Sequence, residues 1–285
     1  MLHILYNPIS NNKRGLEGAK TLEAKIENET FDYVDVTGIE DIYEYISGTD
    51  INEKIVFTGG DGTINYFINQ INQRPLNRDI YYYPAGCGND FWKDISEKHD
   101  ETLVVLNKYI ENLPTVTING KTSYFLNGVG YGIDGYCCEE GDRQKARSDK
   151  EVNYTSIAIK GILFKFKPQN SKITVDGVTH TFKHTVLAPV MNGRYYGGGM
   201  NVAPAQDRLN PDHTLSCVVM HDPIRIHALA IFPKIFEGKL VEKKKNVEVF
   251  TGKDFIVEFE KPCAAQIDGE TVLNVTKIEV HAYKG

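Results

Sequence analysis

Lys54-Ile55-Val56-Phe57-Thr58-Gly59-Gly60-Asp61-Gly62-Thr63-Ile64-Asn65-Tyr66-Phe67-Ile68 is the stretch that decides how this chain is read. An apolar run, Lys54 to Thr58, is followed by three glycines around one acid and then by a second apolar segment. That order predicts a buried strand, a glycine turn and a helix. Glycines remove side chains where backbone must come close to a phosphate. The helix start behind them offers unpaired N–H groups and the positive end of a dipole. The turn lacks the Gly-Lys-Ser/Thr of a Walker A loop and the third glycine of a dinucleotide fingerprint, so it is neither of those motifs.

Outward from this turn, the first third of the chain alternates strand and helix signals. Strands are expected at Leu2–Tyr6, Phe31–Thr37, Lys54–Thr58 and Asp79–Tyr83, and helices at Gly15–Asn28, Ile39–Ile46 and Thr63–Asn72. The pattern predicts a doubly wound parallel α/β domain. In such a sheet the loops at the strand carboxyl ends form the ligand crevice. Asn7-Pro8, Thr37, the Gly59 turn and Pro84-Ala85-Gly86 would all lie there. Near Pro114 the character changes. Segments at 115–118, 123–130, 172–175, 185–190, 214–220, 246–251, 254–259 and 276–282 read as strands separated by turns such as Asn119-Gly120, Asp176-Gly177 and Asp268-Gly269. An antiparallel β-sandwich or barrel is expected, with helix-like inserts at 152–166 and 224–236. The domains are therefore placed at 1–118 and 119–285, with a C-terminal tail free to return to the first.

Composition narrows the function. The chain has 285 residues, 41% apolar and 25% charged, which is ordinary for a globular protein. A formal net charge of −6 argues against nucleic acid as a partner and against attachment to anionic lipid by charge alone. No basic leader or long apolar core opens the chain, and no run approaches a membrane span. Five scattered cysteines match neither a zinc pattern nor a disulfide framework, so a reduced, cytoplasmic setting is expected.

The chemistry is carried by acids beside glycines. Asp61 is followed by Asp90 in Gly86-Cys87-Gly88-Asn89-Asp90, by Asp134 after Gly128-Val129-Gly130-Tyr131-Gly132-Ile133, and by Asp268 and Glu270 at a late turn. Carboxylates without a histidine cluster suit a hard cation, Mg²⁺ first. Such loops and acids suit phosphoryl transfer, with one carboxylate accepting the proton of an attacking hydroxyl.

Thr58–Thr63, Pro84–Phe91 and Tyr195–Ala205 occur in order, together with Tyr6-Asn7-Pro8 and Ile267-Asp268-Gly269-Glu270. With these motifs the chain resembles the diacylglycerol kinase catalytic-domain family, most of all its soluble bacterial lipid kinases, relatives of sphingosine and ceramide kinases. The resemblance covers nearly the whole chain. The first motif is shared with NAD kinases; the second and third are far more specific to lipid kinases. The resemblance implies transfer of the γ-phosphate of ATP to a lipid hydroxyl, diacylglycerol or a related lipid. Gly59, Gly60, Gly62 and Thr63 would line ATP, with Asn7, Thr37, Gly86 and Asn89 beside them. Asp61, Asp90 and Asp134 match a magnesium-centred network across the interdomain cleft. Asp268 matches the general base, with Glu270 beside it, and the lipid would enter between the domains.

Two departures stand out. Cys87 replaces the threonine of the family's second motif. In the family's later Asp-Gly-x-Leu-Asp-Val pattern, which holds a structural magnesium, Asp212 and Leu215 are kept while His213 and Ser216 replace a glycine and an acid. That metal site is in question here. Two other readings stay open: an NAD kinase-like small-molecule kinase, which should lack the second and third motifs, and a catalytically impaired nucleotide- or lipid-binding protein. The segments 157–166 and 224–236 each have an apolar face for a membrane surface or, the commoner outcome, for the core. Transient, peripheral membrane contact and open sheet edges that leave homodimerisation available complete the expectations.

Overall fold

The computed structural model describes residues 1–86, 89–96, 102–148 and 152–284. Cys87 and Gly88, the centre of the second glycine loop, lie outside the described residues. The chain divides into two compact units, Met1–Leu113 and Pro114–Gly285.

Unit 1 holds β1 (Leu2–Tyr6), α1 (Ser10–Lys13), α2 (Gly15–Lys20), β2 (Phe31–Asp35), α3 (Ile42–Gly48), β3 (Lys54–Gly59), α4 (Asp61–Ile71), β4 (Ile80–Pro84), α5 (Asp90–Ile95), β5 (Val104–Val105) and α6 (Asn107–Ile110). Its sheet runs β2-β1-β3-β4-β5, parallel except for β5, which pairs antiparallel with β4. The central strand β3 buries Ile55, Val56, Phe57 and Thr58, as a strand covered on both faces must. Helix α4 turns Ile64, Phe67, Ile68 and Ile71 inward, and the ring of Phe67 stacks on Phe57 at 3.8 Å. The chain runs outward from β1 to β2 and then crosses back to β3 on the other side of β1, so the switch point lies between the ends of β1 and β3.

Two expected helices shrink for local reasons. The helix expected from Gly15 to Asn28 stops at Lys20, where the Thr21 hydroxyl donates to Gly18 O at 2.6 Å and later amides reach back only three residues. The one expected from Ile39 begins at Ile42, because Asp41 rather than Thr37 or Gly38 caps it, accepting from Tyr43 N and Glu44 N.

Unit 2 is antiparallel. It contains β6 (Thr115–Ile118), β7 (Lys121–Tyr124), β8 (Gly128–Tyr131), α7 (Ile133–Lys145), α8 (Tyr154–Lys160), β9 (Gln169–Val175), β10 (Val178–Thr185), β11 (Val190–Met191), β12 (Tyr195–Tyr196), β13 (Met200–Asn201), β14 (Leu215–Met220), α9 (Arg225–Ile231), β15 (Val247–Gly252), β16 (Asp254–Ile267) and β17 (Glu270–His281). The main sheet runs β15-β14-β11-β8-β16-β17-β6-β7, and β9 with β10 branches from β16. The first half of β16 pairs β9 and its end pairs β8, with register shifts around Pro262, which has no amide to donate. One apolar core, including Val129, Tyr131, Ile173, Val219, Phe255 and Ile278, fills the space so enclosed. The strand β6 pairs with β17, which places residues 115–118 in unit 2.

The strand expected over 123–130 is two strands. The amides of Leu126, Asn127 and Gly128 leave the ladder for the Asp268 carboxylate. The strand expected over 185–190 also breaks, into the end of β10 and the start of β11.

Candidate active site

In unit 1 the four strand ends bring the expected loops to one edge of the sheet. Asn7 closes a turn after β1: its side-chain oxygen accepts from Ile9 N at 3.1 Å, and its carbonyl accepts from Ser10 N and the Ser10 hydroxyl. Gly15 must be glycine beneath it, since a Cβ there would stand 1.9 Å from Asn7 O. Thr37 follows β2 and donates both its amide and its hydroxyl to Asp35, at 2.8 and 2.7 Å.

The turn after β3 is the tightest. Gly59 has φ +152°, and a Cβ on it would meet the Thr63 hydroxyl at 2.5 Å. The helix α4 begins at Gly60 with no side-chain cap. Thr63 N and Ile64 N both turn back onto Gly60 O, and no Cβ at Gly60 stands over the helix start. The loop after β4 packs backbone to backbone on this turn: a Cβ on Gly86 would lie 2.3 Å from Gly60 Cα. Ala85 N donates to Gly59 O at 3.1 Å and the Tyr82 hydroxyl to the same oxygen at 3.0 Å. Burial, and then the Asp61 charge, raises the Tyr82 hydroxyl well above its ordinary pKa, so it stays a donor. Asn89 donates to Gly86 O at 2.8 Å, while its buried Oδ1 has no partner among the described residues.

Asp61 is brought to Asp90, but through backbone. Its carboxylate accepts from Asp90 N at 2.8 Å and Phe91 N at 2.9 Å, the first amides of α5. One acid thus opens α4 and caps α5. Asp90 itself is buried at the start of that helix.

In unit 2 Gly130 of β8 and Gly135 of α7 let the first turn of α7 come close to β8 and β16. A Cβ on Gly130 would meet the Gln266 side-chain nitrogen at 2.6 Å and the Asp134 oxygen Oδ2 at 2.8 Å. A Cβ on Gly135 would stand 1.9 Å from Ala264 O. Asp134, in the first turn of α7, is buried. Its Oδ1 accepts from the Tyr196 hydroxyl at 2.7 Å and its Oδ2 has no partner among the described residues. Burial pushes its carboxyl up to about 7, against the opposing pull of the Tyr196 bond. Gln266 accepts from Gly269 N at 2.7 Å, which leaves its amide nitrogen, also without a partner, against the same Gly130 surface as Asp134. An orphaned donor and an orphaned acceptor therefore share one buried spot.

Asp268 sits at the first position of the β16–β17 hairpin turn with φ +47°, followed by Gly269 at +95°, as a type I′ turn requires. Its carboxylate accepts from Leu126 N, Asn127 N and Gly128 N at 2.5, 2.7 and 3.0 Å. Three amides fix the carboxylate in place. The carbonyl of Leu126 is held in turn by Asn192 and Arg208. Glu270, next on the turn, is exposed.

Near Asp212 the loop is closed by side-chain amides. Ser216 donates to Gln206 at 2.6 Å, Gln206 donates to Thr214 O at 2.9 Å, and Asn210 both accepts from Thr214 N and donates to Asp207 O. Asp212 is exposed and Leu215 buried. His213 takes φ +54°, where the family pattern has glycine. Among the described residues no group of three or more His, Cys, Asp or Glu is placed to hold a metal ion. A magnesium ion here would arrive with nucleotide phosphates and take one or two carboxylates, the usual manner of this cation. Cys137 and Cys138 are raised by burial, Cys138 to about 12, so neither is a reactive thiolate.

Sequence reasoning missed α7, Tyr196 as the partner of Asp134, and Gln266. The signal for the first was present in the alternate glycines 128, 130 and 132, which strip one face of β8 for close packing.

Two family models account for most of the chain. Residues 1–117 match the diacylglycerol kinase catalytic domain, and residues 127–280 match the YegS C-terminal NAD kinase beta sandwich-like domain. The chain belongs to the diacylglycerol kinase-like lipid kinase family. Its enzyme class is that of a phosphotransferase with an alcohol group as acceptor. A protein named diacylglycerol kinase from Mycobacterium tuberculosis is 25% identical over 272 residues, spanning 90% of this chain and 84% of that protein. A crystal structure of a diacylglycerol kinase from Bacillus anthracis shares the fold, with TM-score 0.57 and 19% identity over 99% of this chain and 93% of that one.

Proposed function

We propose that this member of the family transfers the γ-phosphate of ATP to the hydroxyl of a lipid, diacylglycerol or a relative with a primary hydroxyl. The observation that carries the reading is the uncapped N-terminus of α4 at the switch point of the parallel sheet, with Gly59 at φ +152° behind it and Gly86 packed beside it. A glycine-lined helix start at a dipole's positive end suits a polyphosphate. Asn7, Thr37, Gly62, Thr63 and Asn89 line the same edge and would orient the rest of the nucleotide.

Magnesium, when bound with ATP, would neutralise phosphate charge; Asp61 and Asp90 are its candidate ligands in unit 1, and Asp134, one oxygen of which has no partner among the described residues, is the candidate in unit 2. Asp268 is proposed as the hydrogen-bond acceptor for the attacking hydroxyl. Fixed by three amides, it would orient the nucleophile, and a loose phosphoryl-transfer transition state asks mainly for such positioning. Glu270 is the second acid of that turn. Contact with the membrane is peripheral and transient in this reading; among the described residues no helix is long and apolar enough to cross a membrane.

The test is incubation with γ-labelled ATP, Mg²⁺ and a total lipid extract, with the product identified by mass. A phosphorylated lipid is expected. Label found only in NADP after adding NAD, or ATP binding with no transfer, would overturn the proposal.

A further inference from the structure

The large apolar side chains most exposed in unit 2 gather on two segments that touch. Ile226 is 78% exposed, Phe164 75% and Ile224 74%. The helix α9 packs against a π-helical turn, Gly161–Lys165, that continues α8. Their inward sides share one core, where Ile162 and Phe166 meet Ala228, Ile231, Phe232 and Ile235. Positions 228, 231, 232 and 235 form one helix face. Ile226, two positions before Ala228, is rotated about 200° from it and faces solvent. In the π-turn, Phe166 N donates to Gly161 O at 2.8 Å, five residues back, and Phe164 is exposed while Ile162 and Phe166, two positions away on either side, are buried. The core is thus complete without Phe164, Ile224 and Ile226.

Charge says what covers them. In a chain of net charge −6, residues 154–167 and 223–236 contain no Asp or Glu and carry Lys160, Lys165, Lys167, Arg225 and Lys234. The first three of these lysines are exposed. A second copy of the chain, docked by a twofold axis, would set this cationic patch against itself. An anionic bilayer has the complementary charge and accepts apolar side chains at the headgroup boundary. We propose that α9 and the 161–165 turn form an interfacial anchor, in which Phe164, Ile224 and Ile226 enter an anionic lipid surface while the lysines face its phosphates. The choice of occupant rests on the lipid-kinase reading, which puts the acceptor in a bilayer.

The experiment is co-sedimentation, without ATP, on phosphatidylcholine vesicles with and without about 30 mol% phosphatidylglycerol, at low and high salt. Wild type is compared with Phe164→Ser/Ile224→Ser/Ile226→Ser and with Lys160→Glu/Lys165→Glu. Wild type should bind the anionic vesicles at least about tenfold more tightly than the neutral ones, more weakly in high salt, and both variants should lose about tenfold or more with unchanged melting temperature. Variants that bind like wild type, wild type that ignores phosphatidylglycerol, or a solution dimer that the serine variant splits would each overturn the anchor. Phosphate transfer to diacylglycerol in detergent micelles separates the two ideas. Its absence in every protein sinks the kinase reading, whereas vesicle binding by itself decides the anchor.

Discussion

Asp134 is a carboxylate placed where water would normally be required. It is buried, one oxygen is bonded by Tyr196, and the other, like the Gln266 amide nitrogen beside Gly130, has no partner among the described residues. Burial raises its carboxyl from an ordinary 3.8 to about 7. A raised acid favours the protonated form in the folded state. Its stabilising contribution is then complete below about pH 4 and is lost as pH rises through about 7. Asparagine is neutral throughout. In EDTA, Asp134→Asn should therefore gain on wild type between pH 4 and pH 8, by at most about 4 kcal/mol for a shift of this size. Thermal melting across that range checks it; a difference that does not change with pH would show that the buried charge is not the cause. Asp268 is the opposite case, a buried carboxylate supplied with three amides.

At the scale of elements, the loops depend on one another more than the strands do. Asp61 belongs to α4 by chain order and to α5 by hydrogen bonds. Asp61→Ala should leave two buried amides at the start of α5 unpaired and cost about 1–3 kcal/mol, seen as a lower urea midpoint, with Asp61→Asn in between. An unchanged midpoint for the alanine variant would mean that α5 does not need this cap. The parallel sheet and its loop edge were legible because buried strands such as Ile55–Thr58 and turn glycines mark themselves locally. The partners of the acids were not legible. Asp268 pairs with amides some 140 residues away, and whether an acid meets a metal, a phosphate or a backbone amide leaves no mark on its own neighbours in sequence. Helix α7 was missed for a related reason. Its first turn is Ile133-Asp134-Gly135, and glycine there is a poor helix former whose value lies only in the approach to Ala264 O. The altered Asp212 loop shows the same limit, since Gln206 and Asn210 close it with side-chain amides.

For the whole molecule, the two family models, over residues 1–117 and 127–280, fall largely on the two units: a glycine-turn parallel sheet and an antiparallel unit with buried acids. The cationic, acid-free segments at α9 and the 161–165 turn belong to this scale too, because only against the whole chain's net charge of −6 are they unusual. The central claim is that the amides ahead of α4 hold a nucleotide triphosphate whose last phosphate goes to a lipid. The most direct measurement is the transfer of label from γ-labelled ATP into the organic phase with diacylglycerol micelles and Mg²⁺, for wild type and for Gly86→Ala, whose added Cβ would stand 2.3 Å from Gly60 Cα. Labelled lipid that vanishes in EDTA, with the KM for ATP raised at least about tenfold in the variant and the KM for lipid unchanged, is the predicted result. Label that stays in the aqueous phase for every lipid offered, or a variant with wild-type KM for ATP, would contradict it.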